Sequence, residues 1–163
     1  MTGIPDSNRS AGVGVFILAL AVYMGTIAPG LAFIDSGELA AVCSTLGIAH
    51  PTGYPLYTLL GWLCTRLPIA ARPVYILNLL SAVCSAGAAM LLYFSLSELF
   101  LNGKRSPGIA VRQVVCVAGA LLFAFCSVVW SSAVVTEVYA LQGFFICALL
   151  LVSIKLFGDA GEN

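Results

Sequence analysis

The sequence predicts an all-α integral membrane protein with about four transmembrane helices, and its composition and charge distribution carry this prediction. Hydrophobic residues make up 61% of the 163-residue chain and charged residues only 9%, against about 25% charged residues in an average soluble domain. Runs of 17 to 25 residues lack Asp, Glu, Lys and Arg, and a helix needs ~20 apolar residues to cross a bilayer. The net charge is zero, which leaves no large basic surface for nucleic acid. A soluble domain and a nucleic-acid-binding protein are therefore excluded.

Four charge-free runs each contain one predicted transmembrane helix. A fifth run, Leu39 to Thr65, has 27 residues, but the segment His50-Pro51-Thr52-Gly53-Tyr54-Pro55 interrupts it, because two prolines and a glycine prevent a continuous helix. Its pieces, Leu39 to Ala49 and Leu56 to Thr65, are too short to cross and are expected to form interfacial helices. The spans are placed at approximately residues 13–31, 75–97, 113–131 and 138–156, and the first outer loop occupies residues 32–72.

The basic residues set the predicted orientation, because Lys and Arg concentrate in short cytoplasmic loops. With four spans and a cytoplasmic N-terminus, five of the seven Lys and Arg residues lie inside and only Arg66 and Arg72 lie outside. If the interrupted run crossed as well, three would lie inside and four outside. The four-span arrangement agrees better with the rule, and it puts several ionisable residues on one outer face. These residues are Asp35, Glu38, His50 and Glu137.

No repeat or linker divides the chain, so residues 1–163 are predicted to form a single transmembrane unit. The first apolar run is too long for the core of a cleavable signal peptide, and we expect it to remain as an anchor. No Cys-x-x-Cys spacing indicates zinc or redox chemistry, so no cofactor is expected. Cys43 and Cys64 lie in the same loop and are either free or paired.

The second span is rich in small residues, which predicts that it packs on protein. Ser81, Ser85 and Ala89 recur every four residues, a pattern that lets helix backbones approach closely. Asn78 is the most polar group at depth in this span. It either forms an interhelical hydrogen bond, which is the commoner role, or lines a cavity.

Asp35 and Glu38 have a structural and a catalytic interpretation. Their Asp-x-x-Glu spacing before an apolar run fits a capping box, with Asp35 as N-cap and Glu38 reaching back to the N–H of that residue. A carboxylate held at the membrane surface beneath apolar helices is also suited to act as a general base toward a hydroxyl. Glu137 similarly either interacts with the dipole at the start of the fourth span or belongs to the same outer site.

The Pro- and Gly-rich segment around His50 predicts a rigid turn between two short helices. Pro fixes φ and Gly permits a positive φ, but neither requires a histidine. A lone histidine without a partner at ligand spacing is poor evidence for a metal, so no metal site is predicted. Five aromatic residues near the predicted outer interface fit an aromatic belt whatever the function. They are Tyr54, Tyr57, Trp62, Trp130 and Tyr139.

Arg66 and Arg72 are the two basic residues on the predicted outer face. A guanidinium at an interface can bind a lipid phosphate through two parallel hydrogen bonds. It can equally extend from the end of an interfacial helix into water. The residues alone leave both roles open.

Two stretches of the outer loop are specific enough to indicate a family. They are Asp35-Ser36-Gly37-Glu38-Leu39 and the segment from Leu46 to Tyr57, which contains the Pro- and Gly-rich turn. Weaker matches are Asn78-Leu79-Leu80-Ser81-Ala82, Trp130-Ser131 and Glu137-Val138-Tyr139-Ala140-Leu141. With these motifs, most of residues 13–155 resembles a family of membrane glycosyltransferases that is similar to the protein O-mannosyltransferases of the GT-C superfamily.

The resemblance implies the GT-C-like N-terminal half of a multi-pass enzyme. Such an enzyme takes a sugar from a polyprenyl-phosphate carrier and transfers it, on the outer or lumenal face, to a hydroxyl of a protein or glycan acceptor. The resemblance assigns the catalytic carboxylate to Asp35, with Glu38 as its companion. Ile76 stands where the family usually has a basic residue, so Arg66 and Arg72 become the expected lipid-phosphate ligands. Supporting or substrate-binding roles fall to His50, Tyr54, Asn78, Glu137 and Tyr139.

Family members carry more spans than this chain, so the sequence is expected to be an N-terminal portion that functions with the remaining polypeptide. The alternative is a non-catalytic or truncated membrane subunit without activity of its own. A transporter ranks third, because a broken apolar run can line a pathway but the acids lie at the interface and not at mid-membrane. The predicted setting is the lipid bilayer of a bacterial inner membrane, or alternatively of the endoplasmic reticulum, with the N-terminus in the cytoplasm.

Overall fold

A computed structural model describes residues 6–32, 35–51, 53–68, 72–102 and 108–160 of the chain. This part contains seven helices and no strand, which confirms the predicted all-α class. In chain order the helices are α1 (Asp6–Thr26), α2 (Ser36–Thr45), α3 (Pro55–Thr65), α4 (Pro73–Asn102), α5 (Ile109–Phe125), α6 (Ser127–Ala133) and α7 (Val138–Ala160).

Three helices, α1, α4 and α7, are long and apolar enough to cross a membrane. The pair α5 and α6 adds a fourth candidate span when its two bent parts are taken together. The short helices α2 and α3 have 10 and 11 residues, so each is only about 15 to 17 Å long. The described residues therefore fit a multi-pass membrane protein with three to four spans and a first loop that carries two short helices.

The third predicted span is not a straight helix. The chain is extended at Cys126, with ψ 147°, and the axis of α6 is turned by 64° from that of α5. Hydropathy predicts one helix across this run because neither proline nor glycine marks the break. The 17 residues of α5 still extend about 26 Å, and α6 packs near the end of α1, where the Trp130 indole donates a hydrogen bond to Thr26 Oγ1 at 3.1 Å.

The helix α4 is the centre of the bundle and contacts all six other helices. Ser81, Ser85 and Ala89 are at most 2% exposed, which confirms that this span packs on protein. One core cluster lies between α4 and the group of α1, α5 and α6, and a second lies between α4 and the group of α2, α3 and α7. Gly87 permits close packing of α7, because an added Cβ would lie 2.9 Å from the Phe144 ring.

The short helices α2 and α3 pack as a pair against α4. Leu39 and Cys43 of α2 and Tyr57 of α3 are buried in one cluster with Leu77 of α4. The helix α2 ends at Thr45, four residues before the predicted end, because the next residue adopts a left-handed conformation with φ 54°. All six cysteines are free, so Cys43 is not paired with a second thiol of the loop.

Polar contacts identify the two ends of the bundle. At one end, Asn8 of α1 donates a hydrogen bond to Ser97 Oγ of α4 at 2.9 Å, and Lys155 Nζ of α7 lies 3.9 Å from Glu98 of α4. At the other end, the connections α1–α2, α2–α3 and α6–α7 come together. We call the latter the site end.

Candidate functional site

Asp35 precedes the first residue of α2, and its side chain does not cap the helix. Its backbone carbonyl accepts the first helical hydrogen bond, from Leu39 N at 2.9 Å, but the carboxylate makes no capping hydrogen bond. Ser36 fixes the turn, since its Oγ donates to Ala32 O at 2.7 Å and accepts from Ala32 N at 3.0 Å. The Asp35 carboxylate is half-buried and has no hydrogen bond to the residues that the structure describes. Asp35 therefore occupies the predicted N-cap position, but its side chain does not make the predicted capping hydrogen bond.

Glu38 binds His50 and does not reach back to the start of its own helix. Its Oε1 accepts a hydrogen bond from the His50 backbone N–H at 2.7 Å, and its Oε2 lies 2.9 Å from His50 Nδ1. An ionised carboxylate only accepts hydrogen bonds, so Nδ1 carries the proton in this pair. The pKa of Glu38 is lowered, first by the backbone hydrogen bond and then by that of the ring. Glu38 therefore does not make the predicted hydrogen bond to the Asp35 N–H. It binds His50, which lies 12 residues further along the chain.

The turn that carries His50 has the conformation that its proline and glycine predict. Gly53 has φ +84°, and its N–H donates to His50 O at 2.8 Å, which closes the turn. Tyr54 follows with φ 42°, and its ring lies edge-on to the imidazole at a centroid distance of 5.5 Å. His50 is therefore held by its backbone N–H, its carbonyl, Nδ1 and one ring edge.

Asn78 joins the two connections that carry the acids to the central helix. Its Nδ2 donates to Ala28 O at 2.9 Å and to Gly30 O at 3.3 Å, both in the α1–α2 connection. Its Oδ1 accepts a 2.6 Å hydrogen bond from Thr136 Oγ1, next to Glu137. Asn78 is 1% exposed and Thr136 is fully buried. Asn78 therefore has the predicted hydrogen-bonding role, but its partners lie in two connections and not on a neighbouring helix.

Glu137 lies close enough to Asp35 for the two charges to interact. The pKa of Glu137 is raised, chiefly by burial and then by the negative charge of Asp35, while a hydrogen bond from the Val138 backbone acts in the opposite direction. The Glu137 N–H approaches Ser81 Oγ at 3.4 Å. Two carboxylates from separate connections therefore share the site end.

Tyr57 is a buried residue at the site end, whereas its sequence position predicts a place in the aromatic belt. It is 3% exposed, so that assignment is wrong. Its hydroxyl makes no hydrogen bond of acceptable geometry within the described residues, although it faces Ser81 and Glu137. Burial raises the pKa of the Tyr57 hydroxyl. Tyr57 belongs to the segment Tyr54-Pro55-Leu56-Tyr57 that carries the family resemblance, and this was the only signal for it in the sequence. Hydrophobic periodicity does not predict that its side chain is buried.

Three other predicted site residues do not contact the carboxylates. Tyr139 is 63% exposed on α7. Arg66 follows the last residue of α3 and stacks over the Trp62 ring at 5.2 Å, about 16 Å along the helix from the end that carries Tyr54. Arg72 is exposed at the start of α4. Within the described residues, neither guanidinium lies within 4.0 Å of a carboxylate oxygen.

The Asp35, Glu38 and His50 side chains could hold a metal ion. Each offers one ligand atom, and the three atoms lie within 4.8 Å of one another. A mixed oxygen and nitrogen ligand set of this kind suits ions such as Mn²⁺ or Zn²⁺. The sequence places these residues on one face, but it does not show that their ligand atoms converge, because the residues come from two different turns.

An apolar groove of about 300 Å³ begins next to this cluster, between α3 and α7. Tyr54 belongs to both features, since it touches the His50 ring and lines the groove. The groove continues along α7 over Leu141 to Phe145, about one to two helical turns from Glu137. The cluster of Asp35, Glu38 and His50 therefore adjoins this groove.

The fold and the site together define a multi-pass, all-helical membrane protein with three carboxylates and one imidazole at one end of the bundle. Residues 35–162 match the family model described as the N-terminal domain of protein O-mannosyl-transferase TMEM260. The chain belongs to this family. No solved structure matches it significantly.

Two curated relatives agree with the family match. The chain is 34% identical over 143 residues to protein O-mannosyl-transferase TMEM260 of Mus musculus, an alignment that covers 88% of the chain and 19% of the mouse protein. It is 24% identical over 143 residues to protein O-mannosyl-transferase tmem260 of Dictyostelium discoideum, covering 86% of the chain and 16% of that protein. The chain thus spans less than a fifth of the length of these relatives.

Proposed function

We propose that this chain forms the N-terminal part of a GT-C-type glycosyltransferase that transfers a sugar from a polyprenyl-phosphate donor to an acceptor hydroxyl. The observation that carries the proposal is the state of Asp35. Its carboxylate makes no capping hydrogen bond to α2, makes no hydrogen bond to the described residues and is close enough to Glu137 for the two charges to interact. The names of the relatives favour mannose as the sugar and a protein as the acceptor.

Asp35 acts as the general base in the proposed reaction. Its carboxylate takes the proton of the acceptor hydroxyl while the acceptor oxygen bonds to the anomeric carbon of the sugar. The bond from that carbon to the phosphate oxygen breaks, and the polyprenyl phosphate leaves with the bonding electrons. Asp35 then releases the proton to water. Glu38 is proposed to be the second carboxylate of the site. Its position is fixed by its hydrogen bonds with His50.

The other site residues support this chemistry in the proposed enzyme. Asn78 positions the two connections that carry Asp35 and Glu137, as its hydrogen bonds indicate. Tyr54 and Tyr139 are proposed to contact the substrate. Arg66 and Arg72 are proposed to lie in the headgroup region, where exposed guanidinium groups bind lipid phosphates.

The reaction is proposed to take place on the outer or lumenal face of the membrane. The five-to-two distribution of Lys and Arg supports this orientation, with a cytoplasmic N-terminus. An animal relative favours the endoplasmic reticulum, and a bacterial inner membrane is the other setting.

A second candidate is a membrane subunit that has no transferase activity on its own. The aligned region is only 19% of the mouse relative and 16% of the Dictyostelium relative, so the names of those relatives describe much longer polypeptides. Neither candidate requires the chain alone to transfer mannose. They differ in whether its site residues take part in transfer by a longer protein.

Transfer of radiolabelled mannose in isolated membranes tests both candidates. We would compare the chain alone, the chain co-expressed with the C-terminal remainder of a relative, and an intact relative that carries the same site residues. The proposal expects transfer from polyprenyl-phosphate mannose, and none from GDP-mannose once the lipid carrier is removed. Transfer from the nucleotide sugar under those conditions would contradict the proposed donor. Transfer by the intact relative and by the co-expressed pair, but not by the chain alone, would show that the chain needs further polypeptide for activity.

A further inference from the structure

Arg112 is a buried cation without an anionic partner among the residues that the structure describes. It is the fourth residue of α5 and is 7% exposed. Its Nε makes no hydrogen bond, and no described carboxylate oxygen lies within 4.0 Å of its guanidinium nitrogens. Arginine is not deprotonated in proteins, and an unpaired charge is costly to bury. An anion from outside the described residues would remove this cost.

The start of α5 supplies further hydrogen-bond donors beside Arg112. The Arg112 backbone N–H donates the first helical hydrogen bond, to Gly108 O at 3.0 Å. The three preceding N–H groups, of residues 109–111, have no acceptor within the helix, and no side chain caps this end. Side chains of a helix lean toward its N-terminus, which directs the guanidinium over the same first turn. Both features favour an anion, because the N-terminus of a helix carries a partial positive charge.

Tyr93 of α4 is a second buried group at this position that has no partner. It is fully buried, and its hydroxyl makes no hydrogen bond in the part of the chain that the structure describes. The charge of Arg112 acts on this hydroxyl, so the two side chains are neighbours, yet they share no hydrogen bond. A guanidinium, a hydroxyl and the N–H groups of a helix start can all donate. What this group of donors lacks is an acceptor.

The surroundings of Arg112 indicate that the anion belongs to a membrane lipid. The helix α5 follows α4 in the chain and therefore begins at the end of the bundle opposite the site end. It belongs to a candidate span that starts at Ile109, which puts Arg112 about one turn from the end of that span, near the depth of lipid headgroups. The neighbouring side chains of Val111 and Val115 are exposed and apolar. A ligand with its anion at Arg112 can therefore place a hydrocarbon chain along α5.

We propose that Arg112 and the first turn of α5 bind the phosphate of a membrane lipid, whose acyl chain lies along the exposed apolar face of α5. The guanidinium forms charge-assisted hydrogen bonds with the phosphate, and such bonds are about twice as strong as neutral ones. The N–H groups of the helix start add donors that need no side chain. This inference does not depend on the proposed function, because the lipid site lies at the end of the bundle opposite Asp35.

The melting temperature of the chain in dodecyl maltoside micelles tests the inference, since this detergent contains no phosphate. Dioctanoyl phosphatidic acid should raise the melting temperature, because a ligand that binds only the folded state stabilises it. Dioctanoylglycerol, which has the same acyl chains but no phosphate, should leave the melting temperature unchanged. Inorganic phosphate should need a roughly tenfold or higher concentration for the same rise, since it buries no apolar surface.

Two variants of Arg112 and one matched control identify the residue that binds the phosphate. Arg112→Met removes the charge and keeps an apolar stem, and the loss of charge-assisted hydrogen bonds should weaken binding of dioctanoyl phosphatidic acid roughly 10- to 100-fold. Arg112→Lys keeps a charge but not the planar set of donors, and it should lose less affinity. Arg9→Met is the control, because Arg9 is exposed on α1 at the same end of the bundle, and this variant should bind like the wild type. If R112M does not fold, the comparison of R112K with Arg9→Lys decides.

Three results would overturn the inference. Equal affinity of the wild type and R112M for dioctanoyl phosphatidic acid, or of the wild type and R112K where R112M does not fold, would exclude Arg112 as the binding residue. Equal potency of inorganic phosphate and the lipid would exclude a lipid as the source of the anion. An equal rise of the melting temperature with dioctanoylglycerol would show that the phosphate is not recognised. The proposed function is tested separately, by mannose transfer and by the loss of the Asp35 carboxylate.

Discussion

Thr136 Oγ1 donates a 2.6 Å hydrogen bond to the side-chain carbonyl of Asn78, and this contact fixes the α6–α7 connection to the central helix. The amide nitrogen of Asn78 holds the α1–α2 connection through Ala28 O and Gly30 O. One buried side chain therefore sets the positions of both chain segments that carry the acids of the site. Buried polar groups of this kind are costly to leave without a partner.

Replacement of Asn78 should destabilise the protein more than replacement of Thr136. Asn78→Leu leaves the Thr136 hydroxyl and two backbone carbonyls without their partner, so we expect a loss of about 1–3 kcal/mol of unfolding free energy. Thr136→Val removes one donor and should cost about 1 kcal/mol. Thermal unfolding in detergent micelles, followed by tryptophan fluorescence, measures both. The double variant should lose less than the sum of the two losses, since the residues share one hydrogen bond. Strict additivity would mean that they act independently.

The sequence predicts the long helices well because membrane spans depend on local composition. Runs without charges identify α1, α4 and α7, and the proline-rich turn separates α2 from α3 as expected. The break at Cys126 is not predictable in this way, since Phe125 and Ser127 carry no turn signal. It follows from tertiary packing of α6 near the end of α1.

The sequence predicted that three acids and the histidine lie at one end of the bundle, but it did not predict their contacts. Sorting the acids by topology brings Asp35, Glu38, His50 and Glu137 to one face. The partner of Glu38 depends on a contact between two turns 12 residues apart, which no helical or strand period describes. For the same reason, spacing favours a capping box that the structure does not contain.

Gly61 is expected to be essential for the packing of α3 on α2 and α4. An added Cβ would lie 2.5 Å from Cys43 Sγ and 2.9 Å from Leu77 Cδ2. Gly61→Ala should therefore lower stability by about 1–3 kcal/mol through overpacking, measured by thermal unfolding. Gly143→Ala is the matched control, since a Cβ there meets nothing within 4 Å. A G61A variant as stable as G143A would show that α3 can shift away from Cys43 and Leu77 without a measurable loss of stability.

Glu38 and Glu137 should affect stability in opposite ways as the pH changes. Glu38 has a lowered pKa, so its contribution is present above the ordinary pKa and is lost as the pH falls through the lowered folded-state pKa. Glu137 has a raised pKa, so its ionised form is unfavourable in the folded state. That cost disappears as the pH falls through the raised value.

The neutral variants E38Q and E137Q test these signs. At neutral pH, E38Q should melt below the wild type and E137Q above it. Both differences should shrink as the pH falls. Glu137, with its raised pKa, becomes protonated above the ordinary glutamate pKa, and Glu38, with its lowered pKa, loses its charge only below it. Melting temperatures recorded across this range give the result. A stabilising E38Q variant at neutral pH would mean that the contact with His50 does not favour the ionised carboxylate.

The membrane orientation is testable by cysteine labelling on a cysteine-free background. Ile48→Cys, at the site end, should react with an impermeant maleimide added from the outer or lumenal side. Gly108→Cys, at the start of α5, should react only from the cytoplasm. Both positions are exposed. Labelling of the site end from the cytoplasm would reverse the predicted topology and would place the reaction on the other face.

Asp35→Asn separates a catalytic role from a structural one. Because the Asp35 side chain makes no capping hydrogen bond, replacing its carboxylate by an amide of the same shape should leave stability and membrane insertion unchanged. A general base cannot be replaced in this way, since an amide does not take up the proton, and its loss typically lowers the rate by 10² to 10⁴-fold. We therefore expect D35N, in the intact enzyme, to retain its melting temperature and to lose most mannose transfer. Glu98→Gln is the matched control, because it neutralises an acid at the opposite end of the bundle and should retain full activity. If D35N transferred mannose at a rate close to the wild type, Asp35 would not be the base, and Glu137 would be the next carboxylate to test.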